Sequence, residues 1–266
     1  MRILFIGDIY GLPGRKILKE KLPYLKKEYK PNIIIVNAEN SANNGRGITD
    51  KYYKELMEMG VTTITMGNHV WGQESLKSYI DDAHICRPAN YNSAPGKQYD
   101  LINYNGKKLL VMNLLGRTYM EANLNNPFLV AETILKEVKP DYSFIDFHAE
   151  ATSEKVAFGH YLDGLASVIV GTHTHIPTAD ERVLPKGTLY ITDVGMTGPL
   201  NGIIGVEKEI VINRFLNGYT MPNKVAEGPV QLNAVIIDLE LKKIERINLI
   251  EEYNGEVWVT NIKLPI

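Results

Sequence analysis

Near the N-terminus lies the stretch Arg2-Ile3-Leu4-Phe5-Ile6-Gly7-Asp8, an apolar run that stops at a carboxylate. The run predicts a buried β-strand, and the aspartate places a polar group at the carboxyl end of that strand. On its own such an aspartate is commonly a helix cap or a turn residue. The motif becomes informative because the same arrangement recurs along the chain.

Four further predicted strands end in the same way, at a residue able to bind a metal. In open α/β sheets, ligands bind outside the carboxyl ends of the strands, so these side chains are expected to converge. Structural needs alone rarely place this many carboxylates, amides and imidazoles at strand ends. They are Glu39 and Asn40 after residues 33–38, Asn68 and His69 after 61–67, His148 after 142–147, and His173 and His175 after 167–171.

The rest of the chain alternates short apolar runs with amphipathic stretches, which predicts strands and helices around a largely parallel sheet. Two apolar stretches flank Asn105-Gly106, a two-residue hairpin signal, so antiparallel strands are predicted as well and the fold class is mixed α/β. There is no repeat or long linker, which predicts one domain over residues 1–266. Helices are predicted at residues 13–28, 49–59, 127–138, 153–162 and 206–217, and late strands at 188–192, 231–239 and 242–250.

Composition narrows the class of protein. The 266 residues include 29 basic and 31 acidic side chains and are 44% hydrophobic, so the chain is globular and nearly neutral. Its charge argues against a broad basic face for long nucleic acids. The single cysteine, Cys86, excludes an intramolecular disulfide and fits a reducing compartment. The apolar run at the N-terminus is short for a signal peptide, and no stretch is long enough to span a membrane, so a cytoplasmic location is expected.

The donors at the strand ends indicate a metal centre. Oxygen and imidazole ligands without thiolates favour borderline divalent ions such as iron, manganese or zinc. The candidates outnumber the ligands that one ion needs beside water and substrate, so two ions are predicted; a pair about 3.5 to 4 Å apart serves phosphoryl transfer. With only two anionic ligands, about two positive charges stay free to attract a phosphate ester. The candidate ligands are Asp8, Glu39, Asn40, Asn68, His148, His173 and His175.

This series of motifs resembles the calcineurin-like metallophosphoesterases, in residue type as well as in strand order. Within them, residues 37–40, 146–155 and 193–199 are similar to the bacterial YmdB-like branch, and the resemblance runs nearly the full length of the chain. It implies two packed mixed β-sheets flanked by helices, an αββα sandwich. The motifs that carry it are Gly7-Asp8, Glu39-Asn40, Gly67-Asn68-His69, Phe147-His148 and Gly171-Thr172-His173-Thr174-His175.

Two positions depart from the wider superfamily. Tyr10 stands where the first motif usually has a histidine, and Glu39 replaces the aspartate that bridges the metals. The YmdB-like branch implies that the amide oxygen of Asn40 restores the lost ligand. The first metal would then be held by Asp8, Glu39, Asn40 and His175, and the second by Glu39, Asn68, His148 and His173.

The resemblance implies a dinuclear-metal phosphodiesterase that hydrolyses small substrates such as 2',3'- and 3',5'-cyclic nucleotides, and it implies a homo-oligomer. The expected cofactors are two divalent ions, iron or manganese, with zinc or magnesium as alternatives. Our mechanistic hypothesis is that a hydroxide bridging the metals attacks phosphorus in line while His69 protonates or stabilises the leaving oxygen. The expected partner is a small phosphodiester, with no membrane and no long nucleic acid.

Glu150, Thr152 and Glu154 follow His148 closely and have two interpretations. A carboxylate or hydroxyl there can orient a ligand histidine from outside the metal shell. The same residue types are also typical of the start of a helix. The sequence leaves both open.

Asn43, Asn44 and Arg46 lie on a glycine-containing loop after Glu39, where they can meet substrate. Arg46 either holds a phosphate oxygen or is a solvated loop arginine. Residues 195–205 contain four glycines and one proline, a composition typical of a loop at the rim of a site and also of an irregular crossover.

Two rival functions remain. Gly7, Gly11 and Gly14 precede a helix whose N-terminus can hold phosphate, as in a nucleotide-binding module. Their spacing differs from the dinucleotide fingerprint, and this reading leaves the other strand ends unexplained. The second rival is a metal-bearing nucleotide-binding or regulatory protein with little turnover, since a ligand pattern shows binding and not rates.

Overall fold

Two β-sheets lie face to face in the computed structural model, which describes residues 1–120, 123–251 and 257–259. The described strands form an eight-stranded and a six-stranded sheet. In chain order they are β1 (Arg2–Ile6), β2 (Ile33–Asn37), β3 (Thr63–Thr65), β4 (Ile85–Cys86), β5 (Tyr99–Tyr104), β6 (Lys107–Leu115), β7 (Tyr142–His148), β8 (Val168–Thr172), β9 (Arg182–Val183), β10 (Leu189–Ile191), β11 (Gly198–Pro199), β12 (Val230–Asp238), β13 (Lys243–Glu251) and β14 (Val257–Val259).

The first sheet joins a parallel half to an antiparallel half, and the second has a parallel centre with antiparallel edges. The first has the order β14-β13-β12-β1-β2-β3-β4, with β11 paired to β12, and the second has the order β5-β6-β7-β8-β10-β9. The strands β1 to β4 run parallel, as do β6, β7, β8 and β10. The carboxyl termini of the parallel strands of each sheet therefore all lie at the same end of that sheet.

Of the five α-helices in the described residues, the first four cover the outer faces of the sheets and the fifth packs against Tyr10 and Met196. The helices are α1 (Gly11–Tyr29), α2 (Asp50–Glu58), α3 (Pro127–Val138), α4 (Thr152–Tyr161) and α5 (Lys208–Asn217). Their ends follow local signals: the Thr49 hydroxyl accepts from the backbone of Tyr52 at the start of α2, Asn126 caps α3 ahead of its first-position proline, and α5 ends at Gly218 with a φ of 70°.

Three apolar clusters define the layers. The cluster between the sheets contains Phe5 and Phe144, whose ring centroids lie 5.1 Å apart. A second cluster packs α1 and α2 on the first sheet through residues such as Leu18 and Leu56. A third packs α3 and α4 on the second sheet through residues such as Phe158. The order helix, sheet, sheet, helix confirms the predicted αββα sandwich of mixed sheets.

The sequence predicted the helices to within two residues at each end, including both ends of α3. The hairpin is confirmed, because Asn105 and Gly106 join β5 to β6 with φ values of 51° and 75°. The short strands β4, β9, β11 and β14 were not predicted. The single domain over residues 1–266 stays a prediction, and residues 121–122, 252–256 and 260–266 lie outside the described part of the chain.

Candidate metal centre

The predicted ligands lie at the carboxyl ends of three strands of the first sheet and two of the second. The parallel order of each sheet brings these ends to the same side of the sandwich. Asp8 follows β1, Glu39 and Asn40 follow β2, Asn68 follows β3, His148 is the last residue of β7, and His173 and His175 follow β8.

Two groups of side chains are close enough to hold an ion each. Asp8, Glu39 and His175 form one group, and Glu39, His148 and His173 form the other. Within each group, one donor atom per residue lies within 4.8 Å of the others. Glu39 belongs to both groups, which is the arrangement of a bridging carboxylate.

The two asparagines lie beside these groups. Asn68 Oδ1 lies 3.0 Å from Nε2 of His148. Asn40 is buried and its amide nitrogen donates to the carbonyl of Gly45 at 2.9 Å, so its oxygen points elsewhere. That oxygen and Oδ1 of Asp8 are buried acceptors without a hydrogen-bond partner. Because such acceptors are rare in folded proteins, both atoms fit the coordination of a cation.

Gly67 leaves the space in which these atoms meet. A Cβ at this position would overlap Oε2 of Glu39 and approach Nε2 of His148 to 2.5 Å. Only a residue without a side chain leaves the carboxylate and the imidazole open to each other here. The donor set, the unpartnered acceptors and this open space all fit a divalent metal.

Two histidines have one ring nitrogen engaged away from the centre. Nδ1 of His175 lies 2.8 Å from the carbonyl of Ile204, which can only accept, so this nitrogen carries the hydrogen and Nε2 keeps its lone pair. Nε2 of His173 lies 3.1 Å from a carboxylate oxygen of Glu150. Nδ1 of His173 faces the centre, 3.1 Å from Nε2 of His148.

Glu150, Thr152 and Glu154 have different surroundings in the structure. Glu150 contacts the His173 ring, which is the position from which a carboxylate orients a metal-ligating histidine. Thr152 is the first residue of α4. Glu154 accepts from the backbone nitrogens of Arg117 and Thr118, so it fixes the loop after β6.

The electrostatics of the centre reflect buried opposite charges. Burial alone would lower the pKa of His148, but the carboxylates of Glu39, Asp8 and Asp146 raise it to about 9. Burial raises the pKa of Asp8 well above its ordinary value, and nearby carboxylates add to this effect. Burial lowers the pKa of His173 to about 3. Such a concentration of buried carboxylates is stabilised by positive charge, which a divalent ion supplies.

A cleft of about 260 Å³ opens over the two groups. His69, Arg46 and Ile204 line it, so the structure places the predicted catalytic histidine, the loop arginine and the 195–205 loop at its wall. Asn43 and Asn44 are not among its lining residues, because their side chains bond within the loop and to neighbouring helices.

Tyr10, at the place of the superfamily histidine, supports the ligand loop instead. Its ring meets the His175 ring edge-on, with centroids 5.5 Å apart. A Cβ on either Gly45 or Gly205 would come within 2.7 Å of the Tyr10 ring, so the tyrosine fills the space between the two loops that carry these glycines.

The glycines of the rival nucleotide-binding interpretation have a packing role. A Cβ on Gly7 would overlap the carbonyl of Gly195, and one on Gly14 would overlap that of Thr197. These glycines therefore let the 195–198 segment approach β1 and α1, which explains them without a bound phosphate.

Three buried polar residues near the centre were not predicted from the sequence. Asp146 and Thr172 lie on β7 and β8, and Asn37 ends β2. Asn37 and Asp146 fall within predicted apolar strands, and Thr172 falls within the Gly171–His175 motif, where no role was predicted for it. The signal that could have found two of them is the two-residue period of a strand, because Asn37 and Asp146 stand two places before Glu39 and His148 and point to the same face.

Comparison with known proteins decides the family. The model of the YmdB-like protein family matches residues 4–250. This chain belongs to the YmdB-like family. It is 50% identical over 262 residues to the 2',3'-cyclic-nucleotide 2'-phosphodiesterase of Bacillus subtilis (strain 168), a match that covers 95% of this chain and 98% of the relative.

Solved structures place this YmdB-like chain among phosphatases. A novel phosphatase from Mycoplasma pneumoniae superposes with a TM-score of 0.90 at 39% identity, over 95% of this chain and 94% of that one. A structure from Staphylococcus aureus shares the fold alone, with a TM-score of 0.55 at 12% identity over 97% of this chain and 53% of that one. The chain is a hydrolase of the phosphodiesterase and phosphatase type, as the sequence predicted.

One further finding concerns membranes. Among the helices in the described residues, none combines the length and the apolar character that crossing a bilayer requires.

Proposed function

We propose that the chain is a dinuclear-metal phosphodiesterase that hydrolyses small phosphodiesters, 2',3'-cyclic nucleotides first and 3',5'-cyclic nucleotides second. The observation that carries the proposal is the sharing of Glu39 between two groups of metal-binding side chains. The activity in the name of the Bacillus subtilis relative, at 50% identity, supports the substrate class.

Each ion would take ligands from both sheets. Imidazole and oxygen donors without a thiolate favour iron or manganese, with zinc or magnesium as alternatives. The unpartnered oxygens of Asp8 and Asn40 support their assignment to the first ion. The first ion would be held by Asp8, Glu39, Asn40 and His175, and the second by Glu39, Asn68, His148 and His173.

The residues of the cleft would complete the chemistry. When bound, two divalent ions supply positive charge to the phosphoryl oxygens and acidify the water that serves as nucleophile. His69 faces the same cleft, and its backbone nitrogen donates to Oε2 of Glu39 at 3.0 Å, which fixes it beside the centre. We assign it to protonate or stabilise the leaving oxygen. Arg46, on the neighbouring loop after β2, would bind a non-bridging phosphate oxygen.

A metal-dependence assay tests this function. The metal in the purified protein is identified by mass spectrometry, and hydrolysis is measured on 2',3'- and 3',5'-cyclic nucleotides and on monoesters, with and without chelator. We expect two metal ions per chain, hydrolysis of the cyclic diesters, loss of activity with chelator and recovery with manganese or iron. Binding of metal and cyclic nucleotide without hydrolysis would instead show a binding protein.

The assembly and location belong to the same proposal. We propose a homo-oligomer in the cytoplasm, acting on small phosphodiesters rather than on long nucleic acids. The family resemblance supports the first part, and the near-neutral charge of the chain supports the last. Sedimentation equilibrium of the purified protein measures the subunit number, and a purely monomeric protein would contradict the oligomer.

A further inference from the structure

We infer that Asp146, acting through the hydroxyl of Thr172, is a positioning residue that holds His148 in the tautomer whose Nε2 faces the metal centre. The inference rests on the proposed function, because it treats His148 as a metal ligand. Asp146 belongs to neither metal-binding group.

The contacts form a chain of three buried side chains. Nδ1 of His148 lies 2.8 Å from Oγ1 of Thr172. The same hydroxyl lies 2.6 Å from Oδ1 of Asp146. The side chains of all three have no exposed surface, so water does not compete for these bonds.

Which group donates in each hydrogen bond follows from which groups carry a hydrogen to donate. A threonine hydroxyl has one hydrogen to donate, and an ionised carboxylate can only accept. The Thr172 hydroxyl therefore donates its hydrogen to Asp146. Toward His148 it can only accept. His148 must then donate from Nδ1, which leaves Nε2 as the nitrogen that meets Glu39 and Asn68.

The carboxylate is itself held in one orientation. Its other oxygen, Oδ2, accepts from the amide of Asn37 at 2.9 Å and from the hydroxyl of Thr65 at 2.6 Å. The Asn37 amide cannot be turned over, because its oxygen accepts from the backbone nitrogen of Glu39 at 3.1 Å. Asp146 therefore presents Oδ1 to Thr172 alone.

This arrangement joins the two sheets directly below the metal centre. Asn37 and Thr65 belong to β2 and β3, whereas Asp146 and Thr172 belong to β7 and β8. The contacts of Asp146 thus fix the position of the strand that ends at His148 against the strand that leads to Glu39. In this way one buried carboxylate sets both the tautomer of a ligand histidine and its distance from the shared glutamate.

Metal affinity gives the first test. Thr172→Val keeps the shape of the side chain and removes the hydroxyl; partners of this kind are worth about 10- to 100-fold in metal affinity. We expect the dissociation constant for zinc, measured by chelator competition, to rise by that factor, and Thr172→Ser to restore most of the affinity. Thr63→Val is the matched control, since it removes a buried hydroxyl on the same strand as Thr65 that donates to the carbonyl of His84 rather than to Asp146. Wild-type affinity in a folded Thr172→Val protein overturns the inference.

The second test measures the tautomer of His148 directly and does not depend on enzyme activity. Nitrogen-15 spectra of histidine-labelled protein, metal-free and zinc-loaded, should show hydrogen on Nδ1 of His148 in the wild type, with assignment through His148→Gln. The signal should persist in Thr63→Val and Thr172→Ser and be lost or displaced in Thr172→Val. A wild-type His148 without hydrogen on Nδ1, or with zinc on Nδ1, overturns the inference even if Thr172→Val fails to fold. Failure of the proposed function is a separate result: absence of diester hydrolysis with this spectrum intact.

Discussion

The ammonium group of Lys155 lies 2.5 Å from Oδ2 of Asp193, and both side chains are buried. Lys155 also donates to the backbone carbonyl of Thr172 at 2.7 Å. Asp193 accepts from the hydroxyl of Thr174 at 2.8 Å. This ion pair therefore holds both ends of the turn that leads from β8 into the candidate ligands His173 and His175.

The turn needs such support because its backbone is unusual. His173 and His175 have φ values of 95° and 67°, in the left-handed region that residues with side chains rarely adopt. Conformations of this kind persist only where the surrounding structure imposes them. The Lys155–Asp193 pair is one element of that structure.

Breaking the pair should destabilise the fold. Lys155→Met and Asp193→Asn each leave a buried group without its partner, which costs about 3 to 5 kcal/mol in the free energy of unfolding. Urea denaturation of the metal-free proteins measures the loss. The double variant should lose less than the sum of the two single variants, and simple additivity would show that the pair does not act as a unit.

The contribution of Asp193 should fade in acid. Burial opposes its ionisation, but Lys155 and the hydrogen bonds from Gly195 and Thr174 hold the pKa of Asp193 below its ordinary value. Because the unfolded state then takes up the proton first, the stability advantage of the wild type over Asp193→Asn is complete above a pH of about 4 and declines as the pH falls through the folded pKa. Denaturation of both proteins across pH 2 to 7 measures this difference, and an advantage independent of pH would contradict it.

Removing a shared ligand and an unshared one should have different effects on metal content. Glu39→Gln alters both groups, so we expect loss of both ions, whereas Asn68→Ala alters one and should lose one. The metal-to-protein ratio by mass spectrometry is the readout. His84→Ala, which removes an imidazole paired with Asp100 away from the centre, is the control and should keep full occupancy. Full occupancy in both site variants would contradict the two-ion assignment.

His69→Ala should separate turnover from metal binding. The backbone nitrogen that contacts Glu39 is retained in this variant, so metal content should stay near that of the wild type. The loss of a general acid lowers kcat by about 10²- to 10⁴-fold. Steady-state kinetics and metal analysis on one preparation test both halves. Metal loss in His69→Ala would mean that His69 is a ligand.

Gly67→Ala should damage the centre without removing any ligand. The new methyl group would occupy the space between Glu39 and His148, so these side chains must move apart. We expect weaker metal binding with a melting temperature of the metal-free protein close to that of the wild type, because Gly67 has no left-handed φ that requires glycine. Unchanged metal affinity would show that the space between the two side chains is not where the metal binds.

The parts of the fold that local signals specify could be predicted from the sequence. Pro127 with its Asn126 cap fixed the start of α3, and Asn105-Gly106 fixed the hairpin. The two-residue strands β9 and β11 have no periodicity of their own, since they exist only as partners of β10 and β12. A two-residue segment carries no sequence pattern that reveals its pairing with a distant strand.

The same distinction holds at the site. Every candidate ligand ends or follows a strand, so the convergence of strand ends could be predicted, although the assignment of each ligand to an ion stays a prediction. The sequence left the role of Glu150 open, because its partner His173 belongs to a different strand connection. Asp146 falls within the predicted apolar strand 142–147, so the sequence did not mark its carboxylate as part of the site. Asn43 was a candidate for substrate contact, but it bonds to Arg15 and Tyr52 on the neighbouring helices.

The division of the ligands between the two sheets has a mechanical consequence. Asp8 and Glu39 extend from the first sheet, whereas His148 and His175 extend from the second. A cation held by both sets would act as a cross-brace at this end of the sandwich, in addition to the backbone of residues 192–197 that crosses from β10 to β11. Catalytic competence and resistance to heat would then depend on the same pair of ions, because a ligand that binds only the folded state adds its binding free energy to that of folding.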